Sequence, residues 1–292
     1  MKAEILYDIK ATLGEGPVWD ERTGTLYWID ILNKRIYANG DVFLQSDETI
    51  GCLSLRTDGG LIFTKRFSFW ICEPFDHTQD ESDSSNLTLV HALADEPVNN
   101  RFNDGKCDPR GRFLAGTMDM GETDPNGSLY SFNGQSVTKL FGNVTISNGL
   151  TWSPDYKTLY YIDTPTHEVK AFDYDMETGT IDNMRVVVQL SDSLGHPDGM
   201  TSDTQGNLWI AMWGGAQVTK WNPNSGQLLD RIPVPAKNVS CCVFGGENRN
   251  ELFITSARVG LYEDTLQQYP LTGGVFRLET NVEGMPTFEF AG

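Results

Sequence analysis

Short apolar, β-rich runs recur along the chain, each introduced by turn residues. Leu26-Tyr27-Trp28-Ile29, Leu159-Tyr160-Tyr161-Ile162 and Leu208-Trp209-Ile210-Ala211 are three of them, preceded by Glu21-Arg22-Thr23-Gly24, Ser153-Pro154-Asp155 and Thr204-Gln205-Gly206. Polar turn residues between two apolar β-rich runs predict antiparallel hairpins. The apolar starts fall at Leu26, Leu61, Phe113, Leu159, Leu208 and Leu252, at spacings from 35 to 52 residues. An average near 45 is the size of a four-stranded propeller blade. Six such units predict an all-β, six-bladed propeller occupying residues 1–292 as one domain, because stacked repeats share a continuous core. An open ring would expose blade edges, so Ala3 to Asp8 is expected to complete the last blade. Gly274 to Leu278 reads as a strand. Thr287 to Phe290 also reads as a strand. Two stretches exceed the repeat. Asp76 to Asn86 reads as an acidic, Ser-rich excursion, and Ala257 to Pro270 as a connection with one helical turn over a rim of the ring.

In a radial repeat, a shared register on the innermost strands brings side chains from several blades to one point on the axis. The residue before the glycine that opens the repeat is Glu15, Asp104, Asn148 and Asp198 in four repeats and Ile50 in another, so the repeat itself does not demand polarity there. Asp-Gly and Asn-Gly are ordinary turn dipeptides, whereas Glu-Gly has no such preference. Carboxylates and an amide on one ring would repel unless a cation sat between them. Oxygen donors of this kind suit hard divalent ions such as Ca²⁺, Mg²⁺ or Mn²⁺, and a small protein ligand set leaves positions for water and substrate.

Charge supports a cation and argues against nucleic acid. With 22 Lys and Arg against 40 Asp and Glu, the formal net charge is -18, opposite to what a phosphate backbone requires. No apolar run approaches the length of a membrane span, and MKAEILYDIK lacks a signal-peptide core, so a cytoplasmic protein without a membrane partner is expected. The five cysteines contain no Cys-x-x-Cys pair, which points away from a disulfide framework or thiolate zinc site; Cys241 and Cys242 are expected to be buried strand residues. His77, His91, His167 and His196 share no metal-ligand spacing, and only His196, two residues before Asp198, falls near the proposed centre. There is no Gly-x-Ser-x-Gly elbow, P-loop or dinucleotide fingerprint.

Leu13-Gly14-Glu15-Gly16-Pro17, Asn100-Arg101-Phe102-Asn103-Asp104-Gly105-Lys106, Gly116-Thr117-Met118, Ser147-Asn148-Gly149 and Pro197-Asp198-Gly199 resemble, in this order, the motifs of the gluconolactonase/regucalcin (senescence marker protein) family. Ala211-Met212-Trp213-Gly214-Gly215 and Pro270-Leu271-Thr272-Gly273-Gly274 resemble its bacterial sugar-lactonase branch, so the likeness runs from about residue 13 to about 278. The resemblance implies a six-bladed propeller with one divalent metal held by Glu15, Asn148 and Asp198, and substrate contacts from Arg101 and Asn103. Asp104 becomes a neighbour of the site instead of a ligand. Some relatives carry a substrate-contacting glutamate soon after Gly-Thr-Met; here Asp119 and Glu122 are both candidates. The implied activity is metal-dependent hydrolysis of sugar lactones (glucono-, xylono-, arabino- or galactonolactone) to aldonic acids, by attack of water on the lactone carbonyl with Asp198 as the base. Ca²⁺, Mn²⁺, Zn²⁺ and Fe²⁺ all accept such ligands, and the oligomeric state is left open. Two alternatives accompany this reading: a calcium-binding regulatory propeller without turnover, and a phosphotriester hydrolase. An arginine fork with an amide, suited to a polyol, favours the sugar lactone.

Overall fold

The computed structural model describes residues 2–74 and 86–292. Nearly all of the acidic excursion predicted from Asp76 to Asn86, His77 included, lies outside the described residues. Among the described residues the chain forms six antiparallel sheets of four strands each. The six apolar starts each fall within one residue of the first residue of a blade's second strand: Thr25–Asp30, Leu61–Lys65, Phe113–Asp119, Thr158–Asp163, Leu208–Trp213 and Glu251–Ala257. The turns before them form for the reason the sequence suggested. Asp203 Oδ1, for example, accepts from the backbone N–H groups of Gln205 at 3.1 Å and Asn207 at 2.8 Å, a side chain standing in for a backbone turn partner.

The innermost strands are Gly14–Asp20, Ile50–Leu55, Asn100–Cys107, Ser147–Trp152, His196–Ser202 and Asn238–Gly245. Each packs against the next, and the last against the first, which closes the ring. The core therefore lies between blades: Ala211 and Val218 of the fifth pack with Val239, Phe244 and Leu252 of the sixth. As expected, the N-terminal strand Glu4–Tyr7 completes the last blade, with Glu4 opposite Arg277 and Ile5 opposite Phe276. Closure is reinforced by an aromatic stack: Tyr7 lies 5.3 Å from Trp28, which lies 5.1 Å from Tyr37 on its other face. Each such pair contributes about 0.5–1.5 kcal/mol beyond its buried area.

The C-terminal segment departs from expectation. Thr287 to Phe290 is not a strand; after Glu279 the chain runs as a strap across one face of the ring. Met285 N–H donates to Ser202 O at 3.0 Å, Phe290 N–H to Leu55 O at 2.8 Å and Ala291 N–H to Gly111 O at 3.0 Å. Its partners change from blade to blade, so no continuous ladder can form. Helical structure does appear in the connection after Ala257, at Glu263–Gln268. All five cysteines are free and buried, as expected for Cys241 and Cys242. Among the described residues no helix is long and apolar enough to cross a membrane.

Candidate metal and substrate site on the ring axis

Every innermost strand carries a bulge near its start. The register to the second strand slips between Glu15 and Val18, Ile50 and Leu53, Phe102 and Gly105, Ser147 and Leu150, Pro197 and Met200, and Val239 and Cys241. A bulge adds a residue to one strand and re-aims its side chain. Asn103 with Asp104, Asn148 and Asp198 lie inside three of the slips, and Glu15 is the last paired residue before a fourth. The Asp-Gly and Asn-Gly pairs are thus not turns but points inside strands. At Gly149 the reason for glycine is a close approach: a Cβ would sit 2.7 Å from both Asp198 O and Met200 N on the next blade. Gly16 answers to a different need, a left-handed backbone at φ 50°.

These strands surround a cavity of about 310 Å³ lined by Glu15, Arg101, Asn103, Glu122, Asn148 and Asp198, so six of the seven predicted site residues meet there. Asp119, the seventh, does not line it. Asp119 is buried and its Oδ2 accepts from Thr123 and Asp124 N–H at 3.4 Å, holding the turn that carries Glu122. Of the two acidic candidates after Gly-Thr-Met, the structure brings Glu122 to the cavity. Asp104 lies in the neighbouring bulge position, and its Oδ1 accepts from Gly105 N–H at 2.7 Å. His196 is on the surface, with Nδ1 2.9 Å from His167 Nε2.

A hydrogen-bond relay fixes the side-chain amides. Arg101 Nη1 donates to Asn103 Oδ1 at 2.7 Å, and a guanidinium can only donate. At the far end Thr164 Oγ1 donates to Pro197 O at 2.8 Å, and a carbonyl can only accept. Between them Asn103 Nδ2 donates to Asn148 Oδ1 at 3.0 Å and Asn148 Nδ2 to Thr164 Oγ1 at 2.7 Å. The two ends leave no freedom to flip either amide, so the Asn148 nitrogen faces Thr164 and gives it one of its two protons. Asn103 Nδ2 also donates to Ser147 O at 2.9 Å, which commits both of its protons; only a lone pair on Oδ1 stays free for a ligand.

The electrostatics are unbalanced. Glu15 and Asp198 are both buried, and burial, followed by repulsion from Asp104 at Glu15 and from Glu15 and then Asp104 at Asp198, pushes both carboxyls well above the usual carboxylate range. Arg101 opposes this in part; its own pKa is pulled down to about 10 by burial, which still leaves it charged at neutral pH. Two buried carboxylates beside an amide oxygen form an all-oxygen donor set with too little positive charge, which fits a hard divalent cation. Among the described residues no cluster of three His, Cys, Asp and Glu side chains forms a metal site; this set instead combines two such residues with Asn148.

Sequence reasoning missed the rest of the cavity wall: Thr49, Thr164 and a rim that includes Leu32, Met120, Trp213 and Val259. Thr164 follows the second strand of the blade that contains Asn148, and Trp213 lies in one of the matched motifs, but neither carried a signal of its own.

Residues 13–258 match the family described as SMP-30/Gluconolactonase/LRE-like region. Regucalcin of Oryctolagus cuniculus is 37% identical over 305 residues, covering 100% of this chain and 99% of the relative. YvrE of Bacillus subtilis (strain 168), named provisionally as a sugar lactone lactonase, is 37% identical over 300 residues with the same coverage, 100% and 99%. Among solved structures, a protein from Agrobacterium tumefaciens described as a calcium-binding protein, regucalcin, has a TM-score of 0.88 at 28% identity, covering 98% of this chain and 96% of that one.

Proposed function

This chain belongs to the SMP-30/gluconolactonase/LRE-like family, and from that premise we propose that it hydrolyses sugar lactones to aldonic acids at the axial cavity, with a divalent cation held by Glu15, Asn148 and Asp198. One observation carries the reading: two buried carboxylates from blades far apart in sequence face one cavity with less positive charge than they need. The name of the Bacillus subtilis relative supports the substrate class, and that of the Agrobacterium tumefaciens protein supports calcium. Bound there, a divalent cation supplies Lewis-acid polarisation of a carbonyl and the charge that lets both carboxylates ionise.

The chain's own residues do the rest. Asp198 accepts a proton from water as the water oxygen bonds to the lactone carbonyl carbon. The ring C–O bond then breaks, the proton passes to the departing ring oxygen, and the products are a hydroxyl and a carboxylic acid. Arg101, whose Nη1 is committed to Phe102 O and Asn103, offers its remaining N–H groups to the substrate. The free lone pair of Asn103 Oδ1 and the carboxylate of Glu122 accept from substrate hydroxyls.

The test is lactone hydrolysis followed by pH-stat before and after chelation, with the metal content measured. Turnover should vanish with the metal and return on adding Ca²⁺ or Mn²⁺; undiminished turnover in verified metal-free protein overturns the metal assignment. The calcium-binding name of the structural relative favours a second reading, a propeller that binds Ca²⁺ without turnover, and tight Ca²⁺ binding with no hydrolysis of any aldonolactone would select it. A phosphotriester assay run alongside addresses the remaining alternative.

A further inference from the structure

The cavity has two zones of opposite chemistry. Its floor, made by Glu15, Arg101, Asn148 and Asp198, is buried. Its mouth carries Leu32 at 41% exposure and Met120 at 50%, with half-buried Trp213 and Val259 beside them and Met118 and Ile146 below. Large apolar side chains left in water around a pocket entrance mark a surface that a ligand covers. Leu32 and Val259 offer no partner to a polyol hydroxyl, and each hydroxyl taken out of water needs one. The polar partners on offer are the remaining Arg101 N–H groups, Asn103 Oδ1, one Asn148 N–H and the exposed Glu122; both Asn103 N–H protons are spent on Ser147 and Asn148, and one Asn148 proton on Thr164. Two methionines at the rim add a surface that adapts to flexible chains.

Resting on the hydrolytic reading above, we propose that the site takes lactones bearing an alkyl chain on the ring carbon next to the ring oxygen. The ester sits on the polar floor and the chain lies in the collar of Leu32, Met118, Met120, Ile146, Trp213 and Val259. The reaction is the same addition of water, with the ring C–O bond broken to give an alkyl hydroxy acid. Burial of each methylene is worth about 0.8 kcal/mol, or about fourfold in kcat/KM, for as long as the chain stays within the collar.

The experiment compares kcat/KM for δ-valerolactone, δ-hexalactone, δ-octalactone and δ-decalactone, with glucono-δ-lactone alongside, on the metal-loaded protein. The expected result is a rise of about fourfold per methylene. The rise should shrink in a Leu32→Gln/Met120→Gln double variant, whose exposed positions tolerate polar side chains. Cleavage of glucono-δ-lactone together with a flat or falling alkyl series overturns the collar and leaves the lactonase reading standing. If no lactone of either kind is cleaved, the lactonase reading itself fails. Calorimetric titration with the same alkyl series then decides the collar, since affinity independent of chain length overturns it and affinity rising with length supports it.

Discussion

Two cavities draw on the innermost strands of the ring and treat charge in opposite ways. At one end Glu15 and Asp198 share a cavity of about 310 Å³, their carboxyls, raised by burial, eased back down by the Gly16 and Gly199 N–H groups and then by a single cation, Arg101. Further along the same strands is a second cavity of about 40 Å³, lined by Asp104, Lys106, Thr151, Thr201 and Cys241 and closed by Met285 to Phe288 of the C-terminal strap. There the carboxyl of Asp104, raised by burial, is eased back down first by Lys106 and then by the Gly105 N–H. Lys106 Nζ also donates to Met200 O at 3.0 Å. One end sets a lysine against one buried carboxyl and is covered by the strap; the other sets one arginine against two buried carboxyls and stays open. The unmet charge, more than the presence of acidic residues, is what distinguishes a ligand site from a packed channel.

The comparison breaks most sharply if chemistry follows the unmet charge. Asp198→Asn keeps the side chain's size but loses its negative charge, and should lower lactone kcat by about 10³-fold while the circular dichroism spectrum is retained. Near-normal turnover would remove Asp198 from the reaction. At the stoppered end the reverse pattern is expected. Phe290, fully buried and stacked on Phe132 at 5.5 Å, should cost about 3–5 kcal/mol of stability when changed to alanine, measured by urea denaturation. Its kcat/KM, assayed where the variant is still folded, should be unchanged; a loss of Ca²⁺ affinity there would show that the two ends are coupled.

A finer cut runs through the relay. Thr164→Val removes both the acceptor for Asn148 Nδ2 and the donor to Pro197 O, leaving the amide free to rotate. Calorimetry should show Ca²⁺ binding weakened by about 10-fold or more, the usual scale for a residue that orients a ligand, with recovery in Thr164→Ser. Unaltered affinity in the valine variant would mean that packing alone orients Asn148.

The smallest expected effect is on stability against pH. In the metal-free protein Glu15 and Asp198 hold protons above the ordinary carboxylate range, so between that range and their raised values the native state binds more protons than the unfolded chain. Stability is therefore greatest at the acid side of this window and is lost as pH rises through the raised values. Saturating Ca²⁺, which binds the ionised carboxylates, should remove or reverse that slope. Melting curves across this window, with and without Ca²⁺, check it; identical slopes would show that the cation does not meet these carboxylates.

The repeat was legible because it is written in local terms. Strand-length apolar runs, Asx turns and a regular spacing located every second strand to within a residue, and the need to bury a sheet edge identified Ala3 to Asp8 as the closing strand. A shared register put Glu15, Asp104, Asn148 and Asp198 on one ring for the same reason, and three of the four line the cavity; Asp104 does not. The Asp-Gly and Asn-Gly pairs read as possible turns, because a bulge inside a strand and a turn favour the same dipeptides. The choice between Asp119 and Glu122 was not legible, since both are acidic residues just after one motif. The positive φ of 58° at Glu122 and the burial of Asp119 under its own turn separate them only in space.

Sequence alone determined the number of blades, the way the ring closes and which oxygen-bearing residues meet on its axis, because strand period, turn chemistry and repeat spacing act over a few residues at a time. Tertiary structure alone decided which way the amides of Asn103 and Asn148 face, which acidic side chain reaches the cavity, and that one end of the channel is stoppered by the C-terminal strap. Those outcomes depend on hydrogen bonds, desolvation and apolar contacts between segments as much as 234 residues apart, such as Ser54 and Phe288. Interactions at that range appear only once the ring has closed.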